Sequence, residues 1–188
     1  MKRIIFAICT ILCANVLFAQ RDATMFLGIP IEGTKSDMIE KLEAFGFSYN
    51  SNNGYMEGWF NDEKVWLNLK SQNRKVVEIA VIDKKTRTRN NIINRFNKLV
   101  EQFDANKNYS NLFTPDQKIN VSFGHMVTDP AGRSATFFQK DKYGLPDQEK
   151  RVWVEIKKKD GLYIISEPEY YIVIHYENLN NKSNGSDL

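Results

Sequence analysis

Cysteine is nearly missing from this chain: 188 residues hold two, Cys9 and Cys13, both close to the N-terminus. Beyond Cys13 there is no thiol, which excludes a disulfide framework, a thiolate nucleophile and a cysteine-based metal site. Histidine is as scarce. His125 and His175 stand far apart, without the His-x-x-x-His or His-Glu spacing that gathers zinc ligands. No Gly-x-Ser-x-Gly elbow occurs, and no Asp-x-Asp-x-Asp-Gly calcium loop. Neither a metal nor a cofactor is expected. Excess charge is missing too: 26 Lys and Arg oppose 23 Asp and Glu, and setting aside Lys2 and Arg3 leaves 24 against 23. That near-neutral balance takes away the compositional basis for nucleic-acid binding.

What is present begins with a leader. Lys2 and Arg3 precede an apolar run from Ile4 to Leu12, and the segment closes on Leu17-Phe18-Ala19. A positive start, a short apolar stretch and a small terminal residue predict a signal peptide over 1–19, too short for a comfortable membrane span. The expected location is the periplasm or the outer surface. Retention as a lipoprotein through Cys13 is disfavoured, because Leu12 is not small. A cysteine-free domain over 20–177 must then be held by its core alone. The Asn/Ser/Gly-rich stretch 178–188 reads as a frayed tail.

Periodicity predicts an α+β domain. A short edge strand is expected at Met25–Ile29, before Pro30. A first helix, about 34–45, follows from Met38, Ile39, Leu42 and Phe45 at helical spacing, with Thr34 as cap and Gly46 as stop. Strands are expected at Phe47–Asn50, Tyr55–Phe60, Lys64–Lys70 and Lys75–Asp83. The second helix, 89–105, gathers Ile92, Ile93, Phe96, Leu99, Val100 and Phe103 on one stripe, with Arg95 among its polar positions. Further strands are expected near Lys118–Val127, Ser134–Gln139, Arg151–Lys157, Leu162–Ile165 and Tyr170–Tyr176. Short connections favour a largely antiparallel sheet of about seven to nine strands, with both amphipathic helices packed on one face.

The stretch from Gly28-Ile29-Pro30-Ile31-Glu32-Gly33-Thr34-Lys35 through Leu42-Glu43-Ala44-Phe45-Gly46-Phe47, with the closing Tyr170–Ile174 and Tyr176-Glu177-Asn178, resembles a group of uncharacterised exported proteins of gut anaerobes. The resemblance covers about a sixth of the chain and implies an envelope setting but no activity. A Gly-Thr-Lys start, a helix and a strand meander are also similar, in shape, to beta-lactamase-inhibitor-like and barrel-assembly lipoprotein domains. That likeness implies protein binding.

Gly28-x-x-x-x-Gly33-Thr34-Lys35-Ser36 falls one residue short of a phosphate-binding loop, because Thr34 separates the second glycine from the lysine. A capped helix start is the expected reading. His125 and His175 are candidate bases, with Asp129 and Glu177 nearby in sequence. Glu57, Glu78 and Glu155 are carboxylates whose spacing in sequence cannot test a glycosidase geometry. The basic run Lys84, Lys85, Arg87 and Arg89 precedes the second helix, where the dipole is already positive, and so is a candidate anion site.

The sharpest pattern is strand parity. Val65-Trp66-Leu67 and Val152-Trp153-Val154 send their aliphatics one way and their indoles the other, and Tyr55, Glu57 and Trp59 stand opposite Met56 and Phe60. Tyr55, Trp59, Trp66 and Trp153 are therefore the candidate ligand-binding residues of an aromatic sheet face. The expected function is non-enzymatic: an accessory protein of the cell envelope that recognises a protein or a glycan. The rivals are a hydrolase using carboxylates or histidine, and a purely structural envelope protein.

Overall fold

The computed structural model describes residues 23–112, 117–119, 129–160 and 167–182. Two strands, β1 (Met25–Phe26) and β2 (Ile29–Pro30), form a small hairpin ahead of helix α1 (Lys35–Ala44). Then come β3 (Ser48–Asn50), β4 (Tyr55–Phe60), β5 (Glu63–Gln72), β6 (Lys75–Asp83) and helix α2 (Arg89–Ala105). The second half supplies β7 (Tyr109–Ser110), β8 (Ser134–Lys140), β9 (Pro146–Lys158) and β10 (Tyr170–Asn178). Strands β3 to β10 make one antiparallel eight-stranded sheet in the order β3-β4-β5-β6-β10-β9-β8-β7. The fold is α+β, as the periodicity predicts.

Local chemistry explains the boundaries. Thr34 accepts from the Asp37 N–H at 3.2 Å while the Asp37 carboxylate accepts from the Thr34 N–H at 3.1 Å, so the near-miss phosphate loop is a capping box. Tight turns join β4 to β5 and β5 to β6 through Asn61-Asp62 and Asn73-Arg74, with positive φ at both central residues. The lead-in differs from the single edge strand expected at Met25–Ile29. Leu27-Gly28 turn the chain with φ of 52° and 79°, so that Phe26 pairs with Ile29. Pro30 closes the second strand without breaking the hairpin, because strand ends tolerate a missing donor.

One core joins both helices to one face of the sheet. Met38 and Leu42 of α1 and the Ile92–Phe103 stripe of α2 pack with Val65, Leu67, Ile79, Val154, Ile172 and Ile174, which alternate inward along their strands. Gly58 faces this layer where Phe47 crosses β4, and a Cβ there would sit 2.3 Å from the Phe47 ring. Glycine is the residue that leaves room.

Three further expectations change. Arg95, read as part of the polar surface of α2, is buried, its Nε 3.4 Å from the Asp83 carboxylate. The start of the 178–188 tail is docked. Asn178 Nδ2 donates to the Ile31 carbonyl at 2.8 Å, and Asn181 Nδ2 donates to the Ile31 and Val76 carbonyls at 3.1 and 3.0 Å. Strand β9 begins at Pro146, five residues before the expected start. The expected strand at Leu162–Ile165, most of Lys118–Val127, the leader 1–19 and His125 lie outside the described residues; Lys118 and Ile119 are in no strand.

Candidate functional site

The site is built on the sheet face opposite the helices, where parity sends Tyr55, Glu57 and Trp59 of β4, Trp66 of β5, Ile82 of β6, Tyr171 and His175 of β10, and Trp153 of β9. Register fixes their neighbours: Glu57 is opposite Trp66, Trp66 opposite Ile82, and His175 opposite both Ala80 and Trp153. The three indoles share this face, as the alternation predicts, but stand in three different settings. Trp66 and Trp153 are three strands apart, about 15 Å at the usual inter-strand spacing.

Trp66 forms part of a groove. Its Nε1–H donates to Glu57 Oε1 at 3.0 Å, and the other Glu57 oxygen accepts from Lys84 Nζ at 2.7 Å. Lys84 Nζ also lies 4.9 Å from the Trp66 ring centroid. The hydrogen bond from Lys84, reinforced by that from Trp66, holds the Glu57 carboxyl below its usual range. A cavity of about 620 Å³ opens here, lined by Tyr55, Trp66 and Tyr171 together with Asn53, Thr86, Lys159 and Asp160. Burial raises the Tyr171 hydroxyl above its ordinary range, and the Asp160, Glu155 and Tyr55 charges add to the rise against the opposing Lys157.

Trp153 sits in a second cluster. Its ring stacks on His175, centroids 3.8 Å apart. His175 is itself held between two carboxylates: Nδ1 is 2.6 Å from Glu78 Oε1 and Nε2 is 3.0 Å from Glu155 Oε1. Lys70 and Lys157 flank the row, each 2.8 Å from one of those glutamates. Burial alone would raise the Glu78 carboxyl, but the hydrogen bonds from His175 and Lys70 outweigh it and set it below the usual value. Both imidazole nitrogens are engaged by carboxylate oxygens, so neither is open to a substrate. The ring also occupies the space between the two carboxylates, where a glycosidase would place a water or a glycosidic oxygen. The Trp153 indole N–H is buried and has no partner among the described residues.

Trp59, at 65% exposure the most open of the three, lies near the sheet edge with Lys64 Nζ 5.5 Å from its ring centroid. Of the four aromatic candidates, then, Tyr55 and Trp66 share the groove, while Trp59 and Trp153 stand apart from it. The basic run does not converge. Arg87 is turned inward, donating to Asp83 at 3.0 Å and to Glu63, and Lys84 is held by Glu57. Burial raises the Asp83 carboxyl against the opposing charges of Arg95 and Arg87. Lys85 is exposed, and Arg89 lines a separate hollow with Thr88, Glu167 and Tyr170. The cost of cations at this helix start is met by local carboxylates.

Tyr171, Lys159 and Asp160 are absent from the sequence-based candidate site. They reach the groove only because β10 pairs with β6 and carries the end of β9 on its other side, a long-range arrangement that no local pattern reports. Among the described residues no cluster of three or more acidic or histidine side chains could hold a metal ion, and no helix is long and apolar enough to cross a membrane. Comparison with known protein families, curated proteins and solved structures finds no match to the chain.

Proposed function

We propose that this chain is a non-enzymatic accessory protein of the cell envelope that binds a glycan in the groove beside Trp66. The observation that carries the reading is the clamp on that indole: Glu57 fixes its N–H, so the ring presents a set face to a 620 Å³ cavity. Tyr55 and Tyr171 add aromatic surface, and Asn53, Thr86 and Asp160 supply hydrogen-bonding groups at the same opening. Sugars present apolar C–H faces ringed by hydroxyls, and an aromatic wall with a polar rim matches both. The volume is that of a small-ligand cleft, which favours a few sugar units over a broad protein epitope. A hydrolytic role has less support, because His175 and its two glutamates already satisfy one another.

The test is titration of soluble envelope glycan fragments while Trp fluorescence is followed. Saturable quenching is expected. Trp66→Ala and Tyr171→Ala should each weaken binding by on the order of tenfold or more, whereas Trp59→Ala should leave it within about twofold, the size of a rim contact. Wild-type protein that binds no fragment, but captures an envelope protein in a Trp66-dependent way, would replace the glycan with a protein partner.

A further inference from the structure

At another edge of the fold, apolar side chains that the core does not use are gathered on two turns. The β1–β2 hairpin exposes Met25 (45%) and Leu27 (42%), and the turn between β8 and β9 exposes Tyr143 (75%) and Leu145 (63%). Half of the large apolar side chains exposed among the described residues are here. Both turns wall one cavity of about 680 Å³, the first through Leu27 and Gly28, the second through Asp141, Lys142 and Gly144. Leu27 occupies the left-handed region at φ 52°, where asparagine or glycine is the ordinary choice. A leucine is thus kept at an exposed tip against the preference of its backbone.

The charge around the cavity is one-sided. Lys107, Lys140 and Lys142 line it, with Asp141 as the one acid, and Asp141 Oδ1 accepts from the backbone N–H groups of Tyr143 and Leu145. The wall between the turns carries the Gln139 amide beside Phe60, Tyr109 and Tyr176. The Gln139 side-chain amide bonds to the Met25 backbone N–H and carbonyl, both at 2.7 Å, and donates to the Tyr109 hydroxyl at 3.0 Å. Tyr143 and Leu145, the most exposed of the four apolar tips, lie outside the cavity lining, so an occupant of the cavity alone would leave them in water. Apolar tips that stand out beside lysines suit a different partner, an interface that is apolar in depth and anionic at its surface.

We propose that this edge docks on an anionic lipid surface, with Leu27, Tyr143 and Leu145 entering the interfacial layer and Lys107 and Lys142 over the headgroups. The surface is distinct from the Trp66 groove, so either reading stands without the other.

The test is co-sedimentation with vesicles of mixed phosphatidylglycerol and phosphatidylcholine against pure phosphatidylcholine, at low and high salt. Wild type and variants are prepared in the same form, so that any contribution of residues 1–22 cancels. Retention on the anionic vesicles that falls with salt is expected. The pair Leu27→Asn and Leu145→Ser should reduce it by about tenfold, the scale of losing two inserted side chains. Asn suits the Leu27 backbone, so this variant should keep its fold, checked by its unfolding curve; Lys107→Gln with Lys142→Gln should lower retention and flatten the salt dependence. No retention on anionic vesicles at low salt, equal retention by the Leu27/Leu145 pair, or capture of an acidic peptide in place of vesicles would overturn the proposal.

Discussion

The Trp153 indole lies flat over the His175 imidazole, with planes 5° from parallel and centroids 3.8 Å apart. One face of the histidine is thereby covered while both of its nitrogens meet carboxylates, so the ring is held on three sides. This row, with His175 between Glu78 and Glu155, is a structural brace between β6, β10 and β9.

Removal of the brace should be costly. His175→Ala leaves one oxygen of Glu78 and one of Glu155 without the imidazole they share, while Lys70 and Lys157 remain. A buried polar group left without its partner costs about 1–3 kcal/mol. Urea unfolding should read a loss of that order. A loss below about 1 kcal/mol, the scale of an exposed pair, would mean that water already solvates the cluster.

Acid should act through the same row. Glu78 titrates lower in the folded chain than in the unfolded chain, because His175 and Lys70 together outweigh its burial. Its contribution to stability is therefore complete above the unfolded carboxylate range and disappears as pH falls through the lower, folded value. Urea midpoints measured from neutral pH downward should decline through this acid window. In Glu78→Gln the decline should be shallower, with the variant already less stable at neutral pH.

Much of this was legible in the sequence, and the gaps have a common cause. Helical spacing of Met38 and Leu42, and of Ile92 through Phe103, reports a local property, so both helices were readable to within a residue or two. Strand parity is local as well, which is why Trp66 and Trp153 were placed on the correct face. Strand order is not local. That β10 inserts between β6 and β9 could not be read from spacing, and with it went Tyr171 as a groove residue and Glu78 and Glu155 as partners of His175. Arg95 reads as part of the polar surface of α2 for the same reason, because an arginine looks solvated until its buried carboxylate, Asp83, is brought beside it.

Gly58 offers a test of packing alone. Gly58→Ala should destabilise the fold by about 1–3 kcal/mol, the usual range for overfilling a packed core, because its new methyl group overlaps the Phe47 ring. Phe47→Leu in the same chain should recover part of that loss. A double-mutant cycle by urea denaturation measures the coupling, and strictly additive effects would show that the ring moves aside freely.

Leu27 offers a test of the opposite sign. Leu27→Asn should raise stability by about 1 kcal/mol, since asparagine accepts the left-handed region that leucine resists, whereas a β-branched residue there should lower it. The thermal unfolding midpoint separates the two outcomes.

Strand β10, the last of the described strands, is also the seam of the sheet: β3 to β6 lie to one side, β9, β8 and β7 to the other. Without residues 170–178 each half would be left with a raw edge of unpaired N–H and carbonyl groups. Loosening that single ribbon would therefore strip hydrogen bonds from β6 and from β9 at the same time.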